Sequence, residues 1–436
     1  MPFVILPTNS ASGGYDITNS LRFNAGSSDN LSKVFSSAET SNKIGTLSFW
    51  FKTLGTNQQY LVATNTGTIF YIYFNSSTGI TFQNGATTTR FTSQVFRDPS
   101  AWYHLVVAWD TTQGTSSNRQ KMYLNGSEIT AFSTSNDLSL NQVIPFFDND
   151  GSTKHIGSYT GGGYYSGYIS EFYGIDGQQL TPSSFGETDE DSGIWKPKAY
   201  TGSFGTNGFY LDFEDSANLG NDMSGNNNDF TVNNLTSIDQ TTDTPTNNFC
   251  TLNPLNFGSG TLSEGNLKWT ATASTGYLAF GTIGIDMSVS NKFYWETKID
   301  SIGSGVVIGI APTTLRWNDT GRSGSYGYYS DGNKYSGTTA SAYGASFTTN
   351  DIIGILAGNG TLTFYKNGVS QGTAFSGLSG TYLPFLAEVS QTNSMNFGNP
   401  PFTISSSETD PSGFGNFEYS TNSGYALNTK NLASFG

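Results

Sequence analysis

The chain has 436 residues, of which 12% are charged and 35% hydrophobic, with 24 Tyr, 32 Phe and a formal charge of −14. Sparse Lys and Arg exclude a surface built to neutralise nucleic-acid phosphates, because that affinity depends on clustered cations. The one cysteine, Cys250, excludes an intrachain disulfide and a zinc site of several thiolates, and no apolar run approaches the roughly 18 residues of a membrane-crossing helix.

The length corresponds to about three units of ordinary domain size, each large enough to bury a core. Gly, Ser, Thr and Asn interleaved with aromatic residues suit strands joined by tight turns. No window holds apolar residues at helical spacing for long enough to make a helix, so an almost entirely β chain is expected. The opening, MPFVILPTNSASGG, has a short apolar run but no basic flank and no full h-region, so synthesis in a cytosol without a signal peptide is expected. The surface chemistry nonetheless resembles that of an extracellular protein. Both fit a protein that leaves the cell in a virus particle released by lysis.

The first unit, residues 1–180, contains the strand-like runs LRFN, TLSFWFKT, TIFYIYFN, GITFQ, WYHLVVAWD, KMYLNG and GYISEFYGI. In WYHLVVAWD, Trp102, His104, Val106 and Ala108 fall on one face, while Tyr103, Leu105, Val107 and Trp109 fall on the other. Both faces are apolar, as in a central strand held between two layers. Residues 181–255 are acidic and turn-rich, and only GFYLDF and DFTVNN read as strands. There the spaced aromatics Phe209, Tyr210, Phe213 and Phe230 argue for an ordered connector packed against its neighbours. Residues 256–403 return to strands, among them KFYWETKI, GVVIGIAP, YGYYSDG, DIIGILAG and YLPFLAEV. The rest, 404–436, is a polar tail with isolated aromatics at Phe414, Phe417, Tyr419 and Tyr425, expected to lie over a sheet.

Two stretches echo each other: MYLNGSEITAF from Met122 and FYKNGVSQGTAF from Phe364, whose Asn-Gly pairs lie 367 − 125 = 242 positions apart. Asn-Gly between alternating runs signals a hairpin, because both central residues of a type I′ turn need positive φ. The surroundings go further. LRFN, TLSFWFKT, WYHLVVAWD with its Trp-x-His, KMYLNG and GYISEFYGIDGQQL, in that order, resemble a LamG domain of the laminin-G and concanavalin A-like family. KFYWETKI, VVIGIAP, YGYYSDGNKY, DIIGILAGNGTLTFYKNGVSQGTAF, YLPFLAEV and MNFG are similar to a SPRY domain, with Ala357 where family members usually carry an acidic residue. The resemblances imply an all-β protein: two concanavalin A-like jelly-roll β-sandwiches joined by an acidic, turn-rich connector. The whole series, with DTPTNNF in the connector and GYALNTKNL near the end, resembles structural proteins of tailed bacteriophages, marine ones especially.

Enzyme signatures are mostly absent. The paired carboxylates of the jelly-roll glucanases need Glu-x-Asp-x-x-Glu on one strand, and EFYGIDG, from Glu171, lacks that spacing. A Ser-His-Asp arrangement would need His104 or His155 as its base, but His104 lies in an apolar strand and reads as a packed, hydrogen-bonded residue. Asp148, Asn149 and Asp150 offer oxygen ligands in a loop, and the LamG resemblance makes Ca²⁺ the candidate cofactor; the competing reading is an ordinary polar turn.

The aromatic loops are the stronger signal. Trp317, Asp319, Tyr326, Tyr328, Tyr329 and Tyr335 lie among glycines where the SPRY resemblance places a binding surface, and Tyr159, Tyr164 and Tyr165 form a similar cluster in the first unit. Such rings stack on sugars and side chains alike. The competing reading places alternate tyrosines in the core.

The expected function is a non-enzymatic phage virion protein, in a tail fibre or appendage, that binds host-surface glycan and other virion proteins. A homo-oligomer, with a trimer favoured, is the prior for fibres. A purely architectural role is the alternative, and a polysaccharide depolymerase the outlying one. Neither nucleic acid nor membrane insertion is expected.

Overall fold

The computed structural model describes residues 14–54, 57–64, 69–76, 78–272, 277–319, 322–388 and 390–436; the apolar run at the start lies outside them. They form two compact units, 14–246 and 247–436. Strands dominate both, as expected, and the architecture is of the concanavalin A-like, jelly-roll kind.

In the first unit a front sheet is ordered Ser127–Glu128, Gln120–Leu124, Tyr103–Asp110, Ile44–Thr53, Gly167–Asp176, Ser20–Phe23 and Gln240–Thr241, with Phe209–Leu211 beside Gly167–Asp176. A back sheet is ordered Phe132–Ser135, Thr87–Thr92, Ile80–Asn84, Phe70–Phe74, Gln59–Thr64, Lys154–Ile156, Asn30–Lys33 and Thr231–Asn233. Phe49, Phe51 and Phe172 of the front sheet and Phe70, Ile72 and Phe74 of the back sheet share one buried cluster. Phe49 stacks on Phe172 at 4.7 Å, and Phe51 meets Phe74 edge-on at 5.5 Å across the gap. Each such ring adds about 1.5–3 kcal/mol by leaving water.

WYHLVVAWD behaves as its two apolar faces predict. Leu105, Val107 and Trp109 enter the inter-sheet core, whereas Val106 joins Tyr173, Ile175 and Phe185 in a separate cluster on the outer face. The cover for that outer face comes from residues 181–246. Phe185, Tyr200, Phe204 and Tyr210 pack there, Phe209, Phe213 and Phe230 join the main core, and Thr231–Asn233 and Gln240–Thr241 extend the two sheets. The DTPTNNF motif is buried, and Asp243 is its anchor. Its carboxylate takes the Lys52 ammonium at 2.8 Å and the Trp102 indole N–H at 3.1 Å, while Ser20 Oγ donates to its backbone carbonyl at 2.6 Å.

In the second unit one sheet is ordered Leu252–Phe257, Tyr277–Gly281, Thr381–Glu388, Val306–Pro312, Tyr326–Tyr329, Asn333–Ser336 and Thr339–Ala342. The facing sheet is ordered Thr261–Ser263, Lys268–Thr270, Thr392–Asn396, Lys292–Ser301, Ile352–Gly358, Thr361–Lys366 and Val369–Ser376. Trp269, Trp295, Ile308, Tyr328, Phe364 and Leu386 lie between them. Residues 404–436 fold onto the second of these sheets. Glu296 accepts the backbone N–H groups of Glu418 and Tyr419 at 3.0 and 2.9 Å, and Tyr425–Ala426 pairs in parallel with Lys292–Ser301. The one α-helix among the described residues, Thr429–Phe435, is capped by the Asn428 side chain on the N–H of Asn431 and is too short to show periodicity in sequence.

The echoed stretches occupy the same place in both units, the last hairpin at one edge of a sheet. Both turns have positive φ at both central residues: 46° and 81° at Asn125 and Gly126, 49° and 79° at Asn367 and Gly368. The asparagines bond identically. Asn125 donates its N–H to the His104 carbonyl at 2.9 Å and accepts the His104 N–H on Oδ1 at 2.8 Å; Asn367 does the same with Ile352, at 2.8 Å for each bond. An aromatic ring covers each glycine, since a Cβ there would lie 2.5 Å from Trp195 in one unit and 2.7 Å from Tyr419 in the other.

Two stability predictions follow from these contacts. Asp243→Ala leaves the buried Lys52 ammonium without its carboxylate, and urea unfolding should show a loss of about 3–5 kcal/mol in the first unit. Gly368→Ala and Gly377→Ala both place a side chain at positive φ, at a cost of about 1–2 kcal/mol, but only Gly368 lies under a ring. The first substitution should therefore lower the second unit's melting temperature measurably more than the second.

Candidate functional site

The aromatic loop of the second unit does not form one surface. Tyr328 is buried in the core against Tyr343, Phe347 and Phe364, with its hydroxyl bonded to the Ala345 carbonyl. Tyr326, on the same face of its strand, packs against Phe375 and Tyr382. Tyr329 turns to the opposite face, where its ring meets Tyr335 at 5.5 Å and its hydroxyl donates to the Ser304 carbonyl at 2.9 Å; the Arg322 guanidinium lies over Tyr335. Strand alternation explains this division.

Trp317 stands apart from them and is 38% exposed. Its ring leans on Tyr277 at 6.0 Å, and its backbone N–H donates to Asn256 Oδ1 at 3.1 Å. Asp319 closes the turn beneath by accepting the Arg316 N–H at 2.7 Å. Tyr277 is half-buried and also packs against the inter-sheet core, so the indole rests on a fixed ring, a contact the loop motif did not reveal.

In the first unit Tyr165 is buried and donates its hydroxyl to the Lys52 carbonyl at 2.9 Å, so it presents no ring outward. Tyr159 and Tyr164 remain at the surface of the back sheet. Tyr159 meets Tyr60 at 4.5 Å and Tyr71 at 5.9 Å, and Tyr60 stacks on Tyr73 at 4.9 Å. The signal for Tyr71 and Tyr73 was the alternation in FYIYF, whose Phe70, Ile72 and Phe74 take the core face. Beside these rings is a cavity of about 500 Å³ lined by Asn30, Ser32, His155, Ser158, Tyr164 and Asn233 among others.

The calcium loop does not fit a cation. Asp150 Oδ1 already accepts the Ser152 N–H and Oγ–H and the Lys154 ammonium, the last at 2.9 Å, so the protein's own cation occupies that carboxylate. Asn149 is exposed, and its N–H faces Glu39 at 3.4 Å. Asp148 is pushed up to about 7 by burial first and then by Glu39 and Asp150. Among the described residues no group of three or more His, Cys, Asp or Glu is arranged to hold a metal.

His104 is packed and hydrogen-bonded, stacked between Trp50 and Trp195. The Trp195 N–H donates to Nδ1 at 3.0 Å, so Nε2 carries the proton and donates to Ser48 Oγ at 2.8 Å. Burial lowers it to about 3, leaving the ring neutral with both nitrogens engaged. Glu171 sits at a bulge with φ of 51° and is 3% exposed. It accepts the hydroxyls of Tyr15, Tyr173 and Tyr210, and burial, only partly offset by these donors, pushes it up to about 7. Glu296 is pushed up to about 6, again by burial first, against the donors from Glu418, Tyr419, Asn396 and Tyr294. Each carboxylate is surrounded by donors of its own unit, and at Glu171 the nearby Asp212 adds a lesser repulsion.

Two family models match separate parts of the chain. The concanavalin A-like lectin/glucanases superfamily matches residues 18–182, and the SPRY domain matches residues 292–400. Among curated proteins, the chain is 35% identical over 120 residues to a Ran-binding proteins 9/10 homolog of Drosophila melanogaster and 37% identical over 120 residues to Ran-binding protein 9 of Xenopus tropicalis. Each match covers 25% of this chain but only 12% and 22% of those relatives, so the chain spans a minor part of their length. Among solved structures, the SPRY domain of human HERC1 aligns with 17% identity and a TM-score of 0.29, covering 33% of this chain and 96% of that one. A heptameric SAP-like pentraxin from Limulus polyphemus aligns with 19% identity and a TM-score of 0.27, covering 38% and 80%.

The raised carboxylates give a pH prediction. Glu171 lies at about 7 against an ordinary 4.5, and Asp148 at about 7 against an ordinary 3.8, so the folded first unit holds these protons more tightly than the unfolded chain. Stability at these sites is therefore gained as pH falls through about 7 and lost above it. The melting temperature of the first unit should be higher at about pH 5 than at about pH 8, and Glu171→Gln should flatten that difference.

Proposed function

We propose that the chain is a non-enzymatic recognition protein of a tailed-phage particle, carried in a tail fibre or another surface appendage, that contacts host-surface glycan through side chains displayed on its β-sandwiches. The observation that carries this reading is Trp317, 38% exposed on a turn, with its indole leaning on the half-buried Tyr277 ring. A rigid indole gives contact area at low entropic cost and suits both sugar faces and side chains. Both matched families supply domains that commonly bind rather than catalyse, and the curated relatives named for binding Ran support recognition in general. The order of strand motifs, with DTPTNNF and GYALNTKNL, supports the particle assignment.

Single sugar contacts are weak, and symmetric copies in one appendage, a trimer by preference, supply the missing affinity through effective concentration. The virion is then the working location, and its other proteins are the second class of partner.

The test is adsorption and glycan-array binding with the full chain. Trp317→Ala should weaken binding to host envelope polysaccharide about tenfold or more, as loss of an aromatic anchor does, with the melting temperature unchanged. Silence across host polysaccharides, together with normal adsorption by the variant, would replace this reading with a purely architectural one.

A further inference from the structure

We infer that the cavity on the outer face of the first unit's back sheet is a binding site for one neutral sugar unit of a glycan. This inference rests on the recognition reading only in taking the ligand to be a glycan, and it names a site remote in sequence from Trp317.

The geometry starts from strand alternation. Ile156 faces the inter-sheet core, so its neighbour His155 points outward. Ser32 is His155's partner on one side and Ala63 on the other, and Ala63 in turn pairs with Tyr71. A row of outward side chains thus runs from the polar cavity to the Tyr60, Tyr71, Tyr73 and Tyr159 rings. One end of that row can grip hydroxyls, and the other presents ring surface.

His155 is the feature that calls for a ligand. It is only 9% exposed, it lines the cavity, and neither ring nitrogen has a hydrogen-bond partner among the described residues. A buried polar group left unpaired costs about 1–3 kcal/mol, and native proteins keep few of them. His104 shows the usual arrangement, with both nitrogens satisfied. Burial holds His155 below its ordinary value, so the ring is a neutral imidazole offering one donor and one acceptor.

The rest of the wall suits the same chemistry. Asn233 is fixed by donating its amide to Asn30 Oδ1 at 3.1 Å and Ser32 Oγ at 3.0 Å, which leaves its own carboxamide oxygen to accept from a ligand. Tyr164 has neither a ring contact nor a hydrogen bond among the described residues, unlike its buried neighbour Tyr165 and the stacked Tyr159. Its ring is therefore available to cover the apolar face of a pyranose. Among the described residues no charged side chain lines the cavity, so none there repays the desolvation of an anionic or cationic ligand. A volume of about 500 Å³ falls in the usual range for small-molecule pockets, about 300–1,000 Å³.

The chain contains two histidines, so one of them is a built-in reporter and the other its control. The probes are methyl glucoside, methyl galactoside, methyl mannoside and the methyl glycoside of N-acetylglucosamine, titrated into the full chain and followed through the imidazole carbon-bound proton signals. At least one glycoside should move the His155 signal and leave His104 in place, with a dissociation constant on the order of millimolar. His155→Gln and Tyr164→Ala should each weaken that binding about tenfold, and Trp317→Ala should leave it unchanged. The inference is overturned if none of the four moves the His155 signal, or if both variants bind as the parent does. It is also overturned if only a charged sugar such as glucuronate binds. Failure here with Trp317-dependent adsorption intact would leave the recognition reading standing, whereas loss of both would end it.

Discussion

Successive residues of a strand point to opposite faces, and nearly everything in this molecule follows from how that constraint is met twice. A strand with apolar residues on both faces needs two covers. In the first unit the inner face of Tyr103–Asp110 is covered by the back sheet, and the outer face by residues 181–246. The second unit gives the outer face of Lys292–Ser301 the same treatment, with Phe249, Tyr294, Leu356 and Tyr365 clustered against Phe417 and Ala426 of the last 33 residues, 404–436. Each sandwich is thus finished by the polar segment that follows it.

Those segments hold on by hydrogen bonds as much as by area. Asp243 binds Lys52 and Trp102, Glu296 binds two backbone N–H groups of the tail, and Asp410 accepts from the Ala426 N–H and the Asn431 amide at 2.8 and 2.6 Å. In a chain with few charges, carboxylates placed this way serve as internal fasteners, and one of them, Glu296, is held above the ordinary range because burial outweighs its donors, as is Glu171 in the first unit. The aromatic lids over Gly126 and Gly368 repeat the scheme at the hairpins.

The strands and both hairpins were legible because alternation and Asn-Gly carry their own physical reasons. The covering segments were not, since their attachment depends on partners far away: 191 positions separate Asp243 from Lys52, and 123 separate Tyr419 from Glu296. Phe209, Tyr210, Phe213 and Phe230 did signal that residues 181–255 pack against neighbours, but not that they extend both sheets. Among the candidate tyrosines the sequence shows clustering, whereas the register decides exposure. Tyr164 and Tyr165 are adjacent, yet one lines a cavity and the other is buried; Tyr328 and Tyr329 divide the same way between the two faces of their sheet. At the candidate calcium loop the motif alone does not reveal the Lys154 ammonium, four residues beyond Asp150, which takes that carboxylate as its partner.

The late arrival of Asp243 has a consequence for biosynthesis. A ribosome delivers Lys52 long before the carboxylate that neutralises it, so the nascent first sandwich must wait, unsealed, while nearly two hundred further residues emerge. Closure of that sandwich therefore comes late for its early strands, and a gene fragment cut at the edge of the lectin-like match, residue 182, would encode a protein lacking both its lid and its counter-ion.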